Sequence, residues 1–405
     1  MITWLKRQLS KNRLIYSLAY RLLHFAIGFA AFPIKAFLVI KSRFAFYKLV
    51  NSGQKYDLHF MHRCGGGTEV YVQNTLRGKT GYILLRNFKI LRFQEIFTLE
   101  IAQSKRLIYI FLKDIAKLNS VASNVYIENI YSYKKLERVL ETVADFSAKI
   151  TYKLHDLYSL CYNVTMVKNN ACCGTVCDSQ CSLSMNGRIY TPKKWRDVWG
   201  AFFERVDEVF VFSENSKKIL LAVYPQTSKK ILVKPHDMSY CKVKRLNGLP
   251  SAMNVGVFGN ITYDAKGYSV LKSFAEFSMG KDYKICMNGL VGDSRPDAFF
   301  KNENFIQYGS YKTDEIYDRI VSQNIGVVFF TSVCPETFSY VVSELMIAGV
   351  PIACFDVGAQ ADKIKEYPLG KIIPDYTNES ILSTLKECYE NGKVFYRKLK
   401  DSSND

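Results

Sequence analysis

The sequence predicts an α/β protein made of two doubly wound parallel-sheet halves that follow a basic helical N-terminal segment. Three observations carry that expectation. The chain has 405 residues, and at about 150 residues per domain this makes two to three domains with ample buried cores. From residue 56 onward, short β-branched or aromatic runs alternate with longer stretches of helical spacing. The alternation restarts after the loop at Asn247, Gly248, Leu249 and Pro250.

Composition narrows the class. Hydrophobic residues make up 48%, aromatics 14% and charged residues 23%, with 23 Gly and 10 Pro, which excludes disordered, collagen-like and coiled-coil chains. Lys and Arg exceed Asp and Glu by 55 to 37, a net charge of +18, so nucleic acid, anionic lipid and phosphorylated ligands are the partner classes to weigh. Residues 1–50 hold Lys6, Arg7, Lys11, Arg13, Arg21, Lys35, Lys41, Arg43 and Lys48, and the first acid is Asp57. A nucleic-acid binder spreads its cations over a folded face; here they concentrate at one end, and no nucleic-acid partner is expected.

Within residues 1–50, the apolar run from Leu14 to Ile40 is broken by Arg21, His24, Pro33 and Lys35. Its longest stretch free of Lys and Arg, Leu22 to Ile34, is shorter than the roughly 20 residues of a spanning helix. The basic region is also too long, and lacks a small-residue cleavage site, for a secretory signal. Cations flanking aromatics suit a segment lying on an anionic membrane surface, each Lys or Arg contributing about 1 kcal/mol. The plain alternative is a pair of helices packed on the protein's own body.

The first half, residues 51–240, offers strands at 56–61, 81–86, 106–112, 124–130, 149–155 and 208–213, with helices at 68–78, 133–147 and 214–223. The second half, residues 251–392, offers strands at 254–259, 283–289, 305–309, 325–330, 351–355 and 370–374. Its helices are expected at 267–279, 313–322, 338–348 and 378–391, before a polar tail at 393–405. Two such Rossmann-like halves, joined near 235–250, direct a ligand to a cleft between the carboxyl edges of two sheets.

Eleven cysteines, an odd number scattered without a secretory signal, indicate reduced thiols in a cytoplasmic setting. Five of them, Cys161, Cys172, Cys173, Cys177 and Cys181, crowd a loop at 161–181. Cys161, Cys172 or Cys173, Cys177 and Cys181 suffice for a tetrahedral structural zinc; free packed thiols are the equal alternative, and a disulfide ranks behind both. No His neighbours the cluster, so thiol catalysis is not expected.

The strongest local pattern is PETFSYVVSE, Pro335 to Glu344, between the apolar run IGVVFF and the turn AGVP. A helix starting near Thr337, with Thr337 as its cap, would offer free N–H groups to a diphosphate and place Glu344 where it can accept ribose hydroxyls. Glu336, eight residues earlier, would face the sugar. With SELMIAGVPIACFDVGAQAD following as helix, turn, strand and small-residue loop, the chain resembles retaining glycosyltransferases of family 4, the "glycosyl transferases group 1", with a GT-B fold.

The resemblance extends to FGNITYDAKG, residues 258–267, where the family has Gly-Arg and then Lys-Gly. Gly259 and Lys266 match; Asn260 stands where Arg is expected and brings a hydrogen-bond donor without charge. In the first half, Gly65, Gly66, Gly67 and Thr68 open a helix after the first strand, as a tight turn or as a loop cradling phosphate or acceptor. His155, with Asp156, ends a strand in the manner of HDxY segments of polysaccharide glycosyltransferases. Ser213, Glu214, Lys234, Pro235 and His236 read as hinge structure.

The resemblance implies metal-independent, retaining transfer from a nucleotide sugar, with no cofactor. It assigns Glu336, Lys266 and His155 to catalysis, and Glu344, Asn260, Gly259, Thr337, Phe338 and Ser339 to the donor. The acceptor would be a glycan or lipid-linked saccharide of a bacterial surface polysaccharide (lipopolysaccharide or capsule), assembled on the inner face of the cytoplasmic membrane. Asn260 leaves open a catalytically weak subunit that partners another glycosyltransferase.

Overall fold

The structure is a computed structural model that describes residue 33 and residues 36–63, 65–88, 96–102, 104, 106–168, 171–175, 181–185, 188–292 and 303–402. It divides into two compact units. The first takes the described residues up to Lys153 with Ser184–Ile189 and Gly200–Val209; the second takes Leu154–Leu183, Tyr190–Trp199 and residues from Phe210 onward.

In the first unit, residues 36–50 are helical. They precede β1 (Tyr56–Met61), α1 (Gly67–Leu76), β2 (Tyr82–Phe88), β3 (Ile96–Ile101), β4 (Leu107–Phe111), a 3₁₀ segment (Leu112–Val121), β5 (Ala122–Asn129), α2 (Leu136–Ala144) and β6 (Lys149–Lys153). The strands lie in the order β6-β5-β1-β2-β3-β4. β1 pairs in parallel with β2 and β5, and β5 with β6. β3 departs from the expected pattern: it is an additional strand, antiparallel to β2 and β4. Three strands in succession without a crossover helix can only pair antiparallel.

Alternation along these strands sends Leu58, Phe60, Ile83, Leu85, Val125 and Ile127 into the core. α2 buries Leu136, Val139, Leu140 and Val143, a stripe at helical spacing that packs against the 3₁₀ segment. The intervening residues build a buried polar cluster, in which Glu128 accepts from Lys153 at 2.6 Å and pairs with His59 at 2.7 Å. The His59 ring stacks on Tyr126 at 4.6 Å.

The second unit contains α3 (Glu214–Val223), β7 (Asn254–Phe258), a 3₁₀ turn (Asp264–Lys266), α4 (Tyr268–Phe277), β8 (Ile285–Asn288) and β9 (Phe305–Gly309). It continues with α5 (Ile316–Ser322), β10 (Ile325–Phe330), α6 (Tyr340–Ala348), β11 (Ile352–Phe355), α7 (Gly358–Glu366), β12 (Gly370–Ile373) and α8 (Asn378–Asp401). All neighbours in its six-stranded sheet are parallel, in the order β9-β8-β7-β10-β11-β12. This is the Rossmann order, in which the chain reverses direction across the sheet between β7 and β10. Every residue of β10 is buried, as a strand covered on both faces requires.

Three sequence expectations need correction here. The helix expected at 338–348 starts at Tyr340. The small-residue stretch after β11 forms helix α7, whose entry is set by Gly358 at φ 68°. The segment read as a polar tail from 393 continues α8 to Asp401, because Tyr396 is buried and its hydroxyl donates to the Gly349 carbonyl at 2.7 Å.

Phe274 of α4 is fully buried against Phe329 and Tyr283. Phe274→Ala is expected to lower stability by about 3–5 kcal/mol through the cavity it leaves, measured by denaturant unfolding.

Candidate functional site

The strand-to-helix connections after β7 and β10 leave the second sheet at its switch point, where the carboxyl ends of strands leave room for a ligand. After β7, Gly259 at φ 110° turns the chain, and the exposed Asn260 accepts a hydrogen bond from the Leu290 N–H at 3.1 Å. The turn Asp264–Lys266 then docks on the connection after β10. Ala265 O accepts from the N–H groups of Val333 and Cys334, both at 3.1 Å, and Lys266 O accepts from the Thr331 hydroxyl at 2.7 Å. Gly267, at φ 83°, is required there, since a Cβ would stand 1.9 Å from the Thr331 carbonyl oxygen.

That docking brings Lys266 to Glu336, Nζ to Oε1 at 2.5 Å. Glu336 is 15% exposed and Lys266 32%. Burial opposes ionisation of Glu336, but Lys266, the Ser339 hydroxyl and the field of Lys363 outweigh it and hold the carboxyl below its ordinary range. Burial likewise works against the Lys266 ammonium, and Glu336 more than reverses it. From the other side Gln360, fully buried, clasps the loop: its Oε1 accepts from the Glu336 N–H at 3.1 Å and its Nε2 donates to Cys334 O at 2.8 Å.

Thr337 does not cap α6. Its hydroxyl donates to the His155 carbonyl at 2.9 Å, which ties the His155 backbone to this loop. Ser339 precedes α6 in a left-handed conformation, φ 63° and ψ 89°, without a capping side-chain bond. A non-glycine residue held there costs about 1–3 kcal/mol, and such strain is found at ligand sites. Phe338 packs its ring on His236 at 4.3 Å, and His236 lies 5.9 Å from the His155 ring. Glu344, buried within α6, accepts from the Thr313 hydroxyl at 3.0 Å, and burial raises its carboxyl above the usual range.

Glu336, Lys266, Thr337, Phe338, Ser339, Glu344, Gly259, Asn260 and His155 thus all belong to the second unit. Gly65, Gly66, Gly67 and Thr68 belong to the first. There Gly65 and Gly66 adopt φ 72° and 82° in an exposed turn, and Gly67 begins α1. Among the described residues no three metal-ligating side chains gather, and Cys161, Cys172 and Cys181 form no disulfide. Cys177 lies outside the described residues.

Two residues of the site were missed at the level of sequence, Gln360 and Lys363. Both sit on α7, which reads as a loop because Gly358, Ala359 and Ala361 carry little helical patterning. The sequence signal that could have found Lys363 is Asn260, which asks for a cation elsewhere; no sequence signal points to Gln360.

No family model and no curated protein matches the sequence. Solved structures do resemble it. Sucrose-phosphate synthase from Thermosynechococcus elongatus is 13% identical and superposes with a TM-score of 0.53 over 85% of this chain and 95% of that one. Anabaena HepE in complex with UDP-glucose is 12% identical, TM-score 0.54, over 85% and 94%. A glycosyltransferase from Rickettsia africae is 14% identical, TM-score 0.52, over 85% and 92%. At these identities the likeness establishes the fold: two parallel-sheet Rossmann-like domains of the GT-B class.

Lys266→Met leaves the part-buried Glu336 carboxylate without its counter-charge and is expected to cost about 1–3 kcal/mol at neutral pH. Because Glu336 titrates below its usual value of 4.5 in the wild type, the pair's contribution is present above that value and is lost as pH falls through the lowered one. Thermal unfolding should therefore show the gap between wild type and variant widest near neutrality and narrowing below pH 4.5.

Proposed function

We propose that the protein is a glycosyltransferase that moves a hexosyl or related sugar from a nucleotide-sugar donor to a growing, lipid-linked surface polysaccharide, with retention at the anomeric carbon and without a catalytic metal. The observation that carries this reading is the placement of Glu336, Lys266 and Glu344 at the switch point of the second sheet, with the 337–340 segment between the two carboxylates. The complexes that HepE forms with UDP and UDP-glucose favour a nucleotide sugar as the ligand.

In this reading Glu344 accepts the ribose hydroxyls and Glu336 faces the sugar. The bond between the anomeric carbon and the phosphate oxygen breaks with its electron pair moving to the phosphate. Lys266 and the N–H groups of 337–340 stabilise that charge. The acceptor oxygen then bonds to the anomeric carbon on the same face, and its proton passes to the departing phosphate. His155, tied to Thr337, lines the sugar, and the Gly65–Thr68 turn serves acceptor or phosphate.

Location at an anionic membrane on its cytoplasmic face is part of the proposal. The helical residues 36–50 bury Val39, Phe46 and Leu49 in the first unit and leave Phe37, Ile40, Phe44 and Tyr47 exposed by 61–81%, beside exposed Lys41 and Lys48. An apolar stripe bordered by lysines is what an in-plane membrane helix presents. Among the described residues no helix is long and apolar enough to cross a membrane.

Incubation of the purified full-length protein with a panel of nucleotide sugars and lipid-linked acceptors should release nucleoside diphosphate. Glu336→Ala should abolish that release while leaving the melting temperature within a few degrees. A wild type inert toward every donor would favour the second reading, a weak subunit acting through a partner enzyme, which Asn260 motivates. Phe44→Glu should reduce co-sedimentation with phosphatidylglycerol vesicles about tenfold, since each apolar side chain withdrawn from lipid forfeits about 1.5 kcal/mol or more.

A further inference from the structure

Lys363 projects from α7 to the turn that joins Glu336 to α6. Its ammonium donates to the Ser343 hydroxyl at 2.6 Å and to the Ser339 carbonyl at 3.4 Å, and lies 3.4 Å from the centroid of the Phe338 ring. All three partners are neutral. Among the described residues no carboxylate forms an ion pair with it; Glu336 acts on it only through its field. Burial lowers its basicity to about 7, against that field, the behaviour of a desolvated ammonium with incomplete counter-charge.

The charge balance of the site gives this residue its meaning. Lys266 is already closed on Glu336 at 2.5 Å, so that pair offers an incoming anion little net charge. Asn260 offers none. Among the described residues of this loop system, Lys363 is a cation without a carboxylate in contact, held at the left-handed Ser339 turn whose strain must be supported by its surroundings. A diphosphate arriving at 337–340 would supply the negative charge that Lys363 lacks, and a desolvated charge gains more from such a partner than an exposed one.

We infer that Lys363 is the positioning residue and counter-charge for the donor diphosphate, acting across the Phe338–Ser339 turn in the place of the cation that Asn260 does not provide. This rests on the donor-site reading above. Lys363 holds the turn through Ser339 and Ser343 and attracts the diphosphate through its charge, whereas the ribose contact proposed for Glu344 is uncharged at the ligand and does not call on it.

Calorimetric titration separates the two. UDP, GDP and ADP are each compared with the matching nucleoside, using full-length wild type, Lys363→Met and Lys363→Arg, with thermal melts to confirm folding. The expected result is that Lys363→Met weakens the diphosphate that binds wild type about tenfold and leaves the matching nucleoside unchanged, while Lys363→Arg retains most of the diphosphate affinity. Lys363→Gln serves in the same way if the Met variant does not fold. An equal loss for nucleoside and diphosphate, or no loss for either, overturns the role of Lys363 while leaving the donor site standing. Failure of wild type to bind any of the three diphosphates overturns both.

Discussion

A lysine from one strand-to-helix connection and a glutamate from another, closed at 2.5 Å, fix the edge of the second unit at its sheet's switch point. The contact forms because Gly267 lets the Asp264–Lys266 turn press against Thr331 at a distance no side chain would permit. Two backbone N–H groups and one hydroxyl from the 331–334 segment bind that turn's carbonyls. Gln360 completes the enclosure from α7. Glu336 is therefore held through its carboxylate by Lys266 and through its backbone N–H by Gln360, which together fix the orientation of a side chain that is only 15% exposed.

The same enclosure explains the unequal behaviour of the site's ionisable groups. Burial acts on all of them, and neighbouring charge decides the outcome. Glu336 has Lys266 beside it and stays ionised below its ordinary range; Glu344 has the neutral Thr313 hydroxyl beside it, and burial pushes it up. Lys266 has a carboxylate in contact and is strengthened as a cation; Lys363 has none and is weakened. Two carboxylates and two ammoniums within one loop system thus hold four different electrostatic states, and pairing separates them.

Much of this was legible in the sequence. The second sheet's strands announced themselves because each is a short apolar run flanked by Gly, Asn or Pro, and the eight-residue interval from Glu336 to Glu344 lies at the loop and helix that follow the central strand β10. The details that failed did so for physical reasons. Thr337 looked like a cap, but its hydroxyl is taken by the His155 carbonyl, a partner 182 positions away in sequence. α7 looked like a loop since its first turn is built of small residues, and its helical state depends on the contacts of Gly358 and Gln360 with the 334–336 segment. β3 was missed because IFTLEI mixes a polar edge with apolar positions, and its antiparallel pairing is set by β2 and β4.

The central claim is that the segment bounded by Glu336 and Glu344 receives a nucleotide. A crystal structure of the full-length protein soaked with its tightest-binding nucleoside diphosphate tests it most directly. The account predicts ribose oxygens within hydrogen-bond distance of the Glu344 carboxylate and the diphosphate along the N–H groups of 337–340. Nucleotide bound at any other edge of the second sheet, with both glutamates left to solvent, would contradict it.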